Sequence, residues 1–167
     1  MTRTLVKSLA IGTLIFAAVP GLATESILSQ TAYGKITFGM QLNDAEKALS
    51  EKAPATQVGE EDACRHVKFK ALPGASFMVE KRIITRADLT AEIPNALHVA
   101  VGDALADVRK AHPAVRVRPN KYDPNGHDLV FKSPDGKNAI VMEETGGKIA
   151  SIRAGVEPSV EYVEGCL

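Results

Sequence analysis

Apolar and polar positions divide the chain into two passages that read alike. In the first, Leu42, Ala45 and Leu49 recur at helical spacing, with Asp44, Glu46 and Lys47 on the other side. A short extended segment, Lys35 to Phe38, precedes this helix, and Pro54 requires it to end by Ala53. Asn43 and Glu46 have the spacing of a capping box, with Gln41 or Met40 as alternative first-turn residues. The period then changes to two. Val67 and Phe69 alternate with Lys68 and Lys70, Pro73-Gly74 turns the chain, and Phe77 and Val79 alternate with Met78 and Glu80. A third strand is expected from about Arg82 to Leu89. In the second passage Leu105, Val108 and Ala111 form a helical stripe stopped by Pro113. Strands are expected at Val115 to Arg118, His127 to Lys132, Asn138 to Glu143 and Lys148 to Arg153, with tight turns at Asn125-Gly126, Asp135-Gly136 and Gly146-Gly147.

Set against each other, Ile36 to Leu49 and Val99 to His112 keep Gly39/Gly102, Leu42/Leu105, Asp44/Asp107, Lys47/Lys110 and Ala48/Ala111 at a constant offset of 63. With the offset slipped by one residue, to 62, Phe69-Lys70 falls against Phe131-Lys132, and at 63 again Phe77 to Glu80 falls against Ile140 to Glu143. The pattern predicts an α+β fold. In it a helix plus antiparallel meander is duplicated in tandem, over about 34–90 and 97–155, with the helices packed on one face of a continuous sheet. Val67, Phe69, Phe77, Val79, Val115, Val117, Leu129, Phe131, Ile140 and Met142 are the expected core face. The other face is expected to be open, carrying Lys68, Lys70, Arg86, Arg116, Arg118, Lys132 and Arg153, diluted by Glu80, Asp88 and Glu143. Residues 24 to 33 are polar and irregular and read as a mobile lead-in, and 55 to 63, with Glu60-Glu61-Asp62, as a surface loop.

A strand ending in Gly, a helix and a meander, in tandem, resembles the β-lactamase-inhibitory-protein fold. Each unit also resembles the small outer-membrane lipoprotein of the β-barrel assembly machinery, whose signature is Gly-Met followed by a helix-capping Thr. Phe38-Gly39-Met40 matches, with Gln41 at the Thr position; Val101-Gly102 matches, with Asp103 and Ala104 in place of Met and Thr. The resemblance covers most of residues 34 to 155 and implies a fold rather than an activity.

The N-terminus changes the compartment. Arg3 and Lys7 precede an apolar run from Leu9 to Val19 that ends at Pro20-Gly21-Leu22-Ala23, the form of a signal peptide over residues 1–23 cleaved near Ala23. The apolar run is short of the roughly 20 residues a spanning helix needs, and no membrane span is expected in the mature protein. Its location is expected to be periplasmic or secreted. The 144 residues that remain make one ordinary domain. Of 20 Lys+Arg and 20 Asp+Glu the signal removes Arg3 and Lys7, leaving a net charge near −2 that gives no pull toward nucleic acid. Cys64 and Cys166 allow one intramolecular pairing, with free thiols or an intermolecular bridge as alternatives. A Cys one residue from the end of the sequence is most simply a tether, drawing the tail back beside the start of the first unit as an edge strand through Tyr162 and Val163.

Candidate chemistry is sparse. His66, His98, His112 and His127 belong to no His-x-x-x-His or Cys-x-x-Cys constellation, so neither a metal nor a cofactor is expected. His112 reads as an ordinary helix-closing residue. The stretch Lys121 to Asp128 is the densest polar cluster. Its Gly comes too early for a calcium loop and its twelfth position is Pro134, so a hairpin turn is the simpler reading. Tyr122, Asp123, Asn125 and His127 nevertheless have the make-up of a recognition loop. The expected function is a non-enzymatic binding module of the bacterial cell envelope. It would engage a protein or an anionic envelope polymer through this loop or through the sheet face formed by Lys68, Lys70, Arg116, Arg118 and Lys132. The alternative is a periplasmic hydrolase or other enzyme using His127 with Asp123 or Asp128.

Overall fold

The computed structural model describes residues 26–54, 64–90 and 92–166. The expected signal peptide and the acidic loop at 60–62 lie outside them. Short apolar-rich segments build most of what is seen, and the central strands bury residues on both faces. β1 (Ala32–Tyr33) and β2 (Ile36–Thr37) form a small hairpin, and α1 (Leu42–Leu49) follows. Then come β3 (Arg65–Val67), β4 (Ala75–Glu80), β5 (Ile83–Leu89), α2 (Leu105–Ala111), β6 (Arg116–Pro119), β7 (His127–Lys132), β8 (Asn138–Thr145) and β9 (Lys148–Val156). The last seven strands form one antiparallel sheet in the order β3-β4-β5-β9-β8-β7-β6, so β5 and β9 meet at its centre and β3 and β6 are its edges.

The expected fold class is corrected by this content. The molecule is mainly an antiparallel sheet of seven strands, and its two helices hold 8 and 7 residues. They are too short to form a layer: α1 buries Leu42 and Ala45, and α2 buries Val108. α1 stops at Ser50, in a left-handed conformation, and α2 at His112, before Pro113. The halves also differ, with three strands after α1 and four after α2, and with a β-hairpin ahead of α1 only. A helix-plus-meander unit repeated in tandem is therefore not the description of this fold. What recurs is the turn into each helix. Gly39 and Gly102, at φ 93 and 97, donate N–H bonds to the carbonyls of Ile84 and Ile149, and Leu42 and Leu105 donate to Arg82 and Gly147. Only glycine takes that backbone conformation without cost, which is why the sequence match centres on it.

The alternation does find the core face. Val67, Phe69, Phe77, Val79, Leu129, Ile140 and Met142 are buried in one cluster, against which Val115, Val117 and Phe131 pack. The lead-in is corrected from mobile to structural. Leu28 is fully buried and exchanges backbone bonds with Pro94 and Ala96, while Tyr33, Ile36 and Phe38 join the same core. Two apolar residues five positions apart carry no period, so the pattern did not reveal them. The capping box is also absent: Gln41 is the N-cap without a side-chain bond, and Asn43 Oδ1 accepts from Arg82 at 2.8 Å.

The second face is not open. After β9 the chain makes a 3-10 turn, Ser159–Glu161, and runs across the sheet to a disulfide between Cys64 and Cys166, whose Cα atoms are 5.2 Å apart. The tail is thus a strap over the face and not the edge strand expected through Tyr162 and Val163. Beneath it Val160 packs on Val130, Ala139 and Val141 in a second apolar cluster.

Two outcomes are expected. Removing the disulfide, which spans 102 residues, with the double substitution Cys64→Ser and Cys166→Ser should lower unfolding free energy by about 2–4 kcal/mol. It should also open the chain after Pro158 to protease; a urea midpoint and cleavage pattern equal to those of the oxidised protein would contradict the strap. Gly155→Ala would place a Cβ 2.2 Å from the Thr85 carbonyl and 2.8 Å from Arg86 Cα. Because both are backbone atoms of a neighbouring central strand, it should cost about 3 kcal/mol. Gly136→Ala, in open space at φ 70, should cost about 1 kcal/mol; equal urea midpoints for the two variants would be the contrary result.

Candidate functional site

The strap brings together side chains that the sequence spreads over ninety residues. Arg86 and Arg153 sit on adjacent central strands and are 4 % exposed each. Arg86 forks onto Asp88, with Nε 2.9 Å from Oδ2 and Nη2 2.8 Å from Oδ1, and its Nη1 donates to the Tyr162 carbonyl at 2.5 Å. Arg153 donates from Nε to the Val160 carbonyl at 2.7 Å and from Nη1 to Glu143. Ser159 Oγ donates to Glu80 Oε2 at 2.5 Å. Further out, Arg118 bridges Asp128 and Glu161, Lys132 pairs with Glu157 at 2.9 Å and Lys121 with Glu164 at 3.0 Å. The carbonyls of Val160 and Tyr162, which have no strand to bond, are thus taken by the two buried guanidinium groups.

This arrangement alters the expected sheet-face site. Arg118 and Lys132 lie on the second face but are neutralised by the tail, and Arg116 is exposed on edge strand β6. Lys68 and Lys70 follow β3 at the opposite edge. Six inter-strand steps of about 4.8 Å separate the edges, so the five cations fall on the order of 30 Å apart in two groups. They do not form one basic surface. Arg86 and Arg153 were legible as face residues but not as buried ones. The signal lay in Val130 and Val141, apolar residues on the face expected to be solvated.

The 120–127 loop is braced by hydrogen bonds of its own side chains. The connection proper is the seven residues 120–126, closed by a bond from Asn120 N–H to the Gly126 carbonyl, with His127 as the first residue of β7, so Asn125-Gly126 ends the connection and is not a two-residue turn. Asn120 Oδ1 accepts from the N–H groups of Tyr122 and Asp123 at 2.9 and 3.0 Å, while its amide donates to Asp128 at 2.8 Å. Asp123 Oδ2 accepts from Thr145 Oγ1 at 2.5 Å, tying the loop to the β8–β9 hairpin. That hydrogen bond, with those from the N–H groups of Asn125 and Gly126, holds the Asp123 carboxyl below the usual carboxylate range. Tyr122 is left 59 % exposed, with the Lys121 ammonium 4.9 Å from its ring centre. Asn125 is exposed beside it.

His127 does not pair with Asp123 or Asp128. Its Nδ1 lies 2.6 Å from Oε2 of Glu144, which is 2 % exposed and whose other oxygen accepts the Gly147 N–H at 2.6 Å. Asp128 is bound instead by Arg118 and Asn120. His112 is the C-cap of α2, but its imidazole does not meet the helix's last carbonyls: Nε2 lies 2.9 Å from the carbonyl of Leu97, ahead of the helix, and the ring is edge-on to Phe131. Among the described residues no three His, Cys, Asp or Glu side chains are placed to hold a metal ion, and no helix is long and apolar enough to cross a membrane.

No protein-family model and no curated protein matches the chain. Among solved structures, an extracellular protein containing a SCP domain from Bacillus anthracis str. Ames superposes with a TM-score of 0.51 over 93 % of this chain and 53 % of that one, at 8 % identity. A cysteine-rich secretory protein from Staphylococcus aureus subsp. aureus Mu50 gives 0.45 over 77 % of this chain and 48 % of that one, at 13 % identity. The chain spans about half the length of each of these proteins. At 8 % identity the first likeness is one of fold, and the fold it shares is the sheet-dominated one described above.

The strap carries a pH dependence. Burial raises the Glu161 pKa, but the hydrogen bond and charge of Arg118 outweigh it and hold the carboxyl below its ordinary value. A carboxylate depressed in the folded state contributes stability above its unfolded pKa, about 4.3, and loses it as pH falls through the folded value. Wild type should therefore lose more stability than Glu161→Gln between about pH 5 and 3. Parallel stability curves for the two proteins in urea would remove the role assigned to this pair.

Proposed function

We propose that this chain is an exported, non-enzymatic binding module of the bacterial cell envelope that presents the 120–127 loop to a partner. The observation that carries the reading is the division of labour on the surface. The sheet face is occupied by the protein's own tail, while the loop beside it is braced by Asn120, Asp123 and Thr145 and still offers Tyr122 and Asn125 to solvent. A rigid loop that projects an aromatic ring loses little conformational freedom on binding. Export is supported by the disulfide, which belongs to an oxidising compartment. The form of residues 1–23 and the fold likeness to an extracellular protein support it as well.

The enzymatic alternative rests on His127, and the partner available to it is Glu144 rather than Asp123 or Asp128. A pair in which the carboxylate also accepts the Gly147 N–H is a sufficient brace for the β8–β9 turn without chemistry.

A photo-crosslinker placed at Tyr122 of the mature protein, exposed to envelope extract, should give a discrete adduct that excess unlabelled wild type displaces and the Tyr122→Ala protein does not. The same group at Lys137, on the Asp135-Gly136 turn, serves as control. Equal labelling from both positions would refute the loop as the contact.

A further inference from the structure

β6 is an edge strand whose outer side has been left unfinished. Its register with β7 pairs Arg116 with Val130, Val117 with Leu129, Arg118 with Asp128 and Pro119 with His127. The ladder continues to the bond from Asn120 N–H to the Gly126 carbonyl at 3.0 Å. In an antiparallel ladder bonded and non-bonded pairs alternate, so Arg118 and Arg116 bond β7. The N–H and C=O of Val117, and the C=O of Pro119, then point outward. Pro119 lacks the N–H that such a position would otherwise leave unmet. Among the described residues no backbone group of Arg116–Pro119 bonds anything beyond β7.

Beside this edge lies a groove of about 660 Å³ between α2 and β6, lined by Ala106, Arg109, Lys110, Pro113, Val115 and Val117. Four of these six residues are apolar and two are cations. Arg109, Lys110 and Arg116 are exposed and make no ion pair or side-chain hydrogen bond among the described residues, whereas Arg118, Lys121, Lys132 and Arg153 are all paired. Two unpaired cations on the α2 side, a third on the opposite face of β6, apolar side chains and an open backbone edge thus meet along one strand.

We propose that β6 accepts an extended, acidic segment of another polypeptide as an eighth strand. This deepens the binding-module reading, on which it rests, by naming the partner's chemistry. The partner residue opposite Val117 faces α2 and fills the floor over Val115 and Val117. Its neighbour on one side faces Arg116 and the residues two away lie on the α2 side with Arg109 and Lys110, so carboxylates belong at those three; the neighbour facing Arg118 gains nothing from charge, since Asp128 and Glu161 already answer that cation, and a probe with Glu at all four positions serves either strand direction. A second copy of this chain is disfavoured because it would bring a second set of unpaired cations, Arg109, Lys110 and Arg116, to the same edge. An anionic polymer would use the cations but neither the apolar floor nor the Val117 N–H.

The probe is an acetylated, amidated Glu-Glu-Val-Glu-Glu peptide titrated into the oxidised mature protein. It should slow amide exchange at Val117 by about tenfold or more at saturation. Methylating its backbone nitrogens should abolish the effect. Arg109→Glu with Lys110→Glu should weaken binding by about tenfold while leaving the melting temperature unchanged. Arg109→Gln with Lys110→Gln serves as the second variant if charge reversal disturbs α2. The proposal is overturned if Val117 exchange does not respond, if the N-methylated peptide or inorganic polyphosphate binds equally well, or if Val117 is already protected in a dimer seen by sedimentation. Tyr122→Ala separates the two readings, since it should leave peptide protection at Val117 intact whatever becomes of the Tyr122 adduct.

Discussion

The structure depends on keeping two guanidinium groups out of water. Arg86 and Arg153 sit at the centre of the sheet, on the pair of strands, β5 and β9, through which its two halves meet. A buried cation costs several kcal/mol unless charge and hydrogen bonds answer it. Asp88 and Glu143 supply the charge from within the sheet. The remaining acceptors are backbone carbonyls of Val160 and Tyr162, available only because the tail lies where it does. The two needs are complementary: the arginines require acceptors, and a segment that crosses a sheet face at an angle has carbonyls with no ladder to join. The disulfide holds this exchange in place by fixing the far end of the tail beside β3.

Gly155 belongs to the same device. It is paired with Arg86 across the central seam, and the space its missing side chain leaves is already taken by the backbone of β5. The seam closes tightly there, and the Arg86 side chain is free to lie toward the tail. Core packing on one face, through Phe77, Ala87 and Ala154, and the polar network on the other are therefore two sides of one strand contact.

Legibility in the sequence followed the range of the forces. Strands made of a short apolar run between clear turn signals, such as His127–Lys132 and Asn138–Thr145, were found close to their observed bounds, because run and turn are properties of a few adjacent residues. The Gly-centred turns before both helices were visible for the same reason. The fold class was misjudged because two short helical stripes were given the weight of layers, although seven or eight residues bury little surface. Leu28 and the tail were misplaced because their partners are distant. Nothing near Glu161 announces Arg118, and nothing near Leu28 announces Pro94. Of the site, the composition of the 120–127 loop was readable and its bracing by Thr145 was not. The supposed basic face failed because sequence shows that a lysine faces outward but not whether a carboxylate is waiting there.

That last point decides where a partner's contacts belong. Counted by residue type, the face beneath the tail is the more cationic surface, with Arg86, Arg118, Lys132 and Arg153. Counted by unanswered charge, it is nearly spent, since each of those four already has a carboxylate or a carbonyl. Electrostatic free energy available to a new ligand comes only from groups not yet satisfied, because displacing an existing partner returns its cost. By that measure the edge formed by α2 and β6, together with the loop that continues from it, holds what the sheet face lacks: exposed cations, apolar side chains, and backbone donors and acceptors without partners among the described residues. The tail therefore does more than stabilise the sheet. By answering the charges of one face, it confines recognition to the rim.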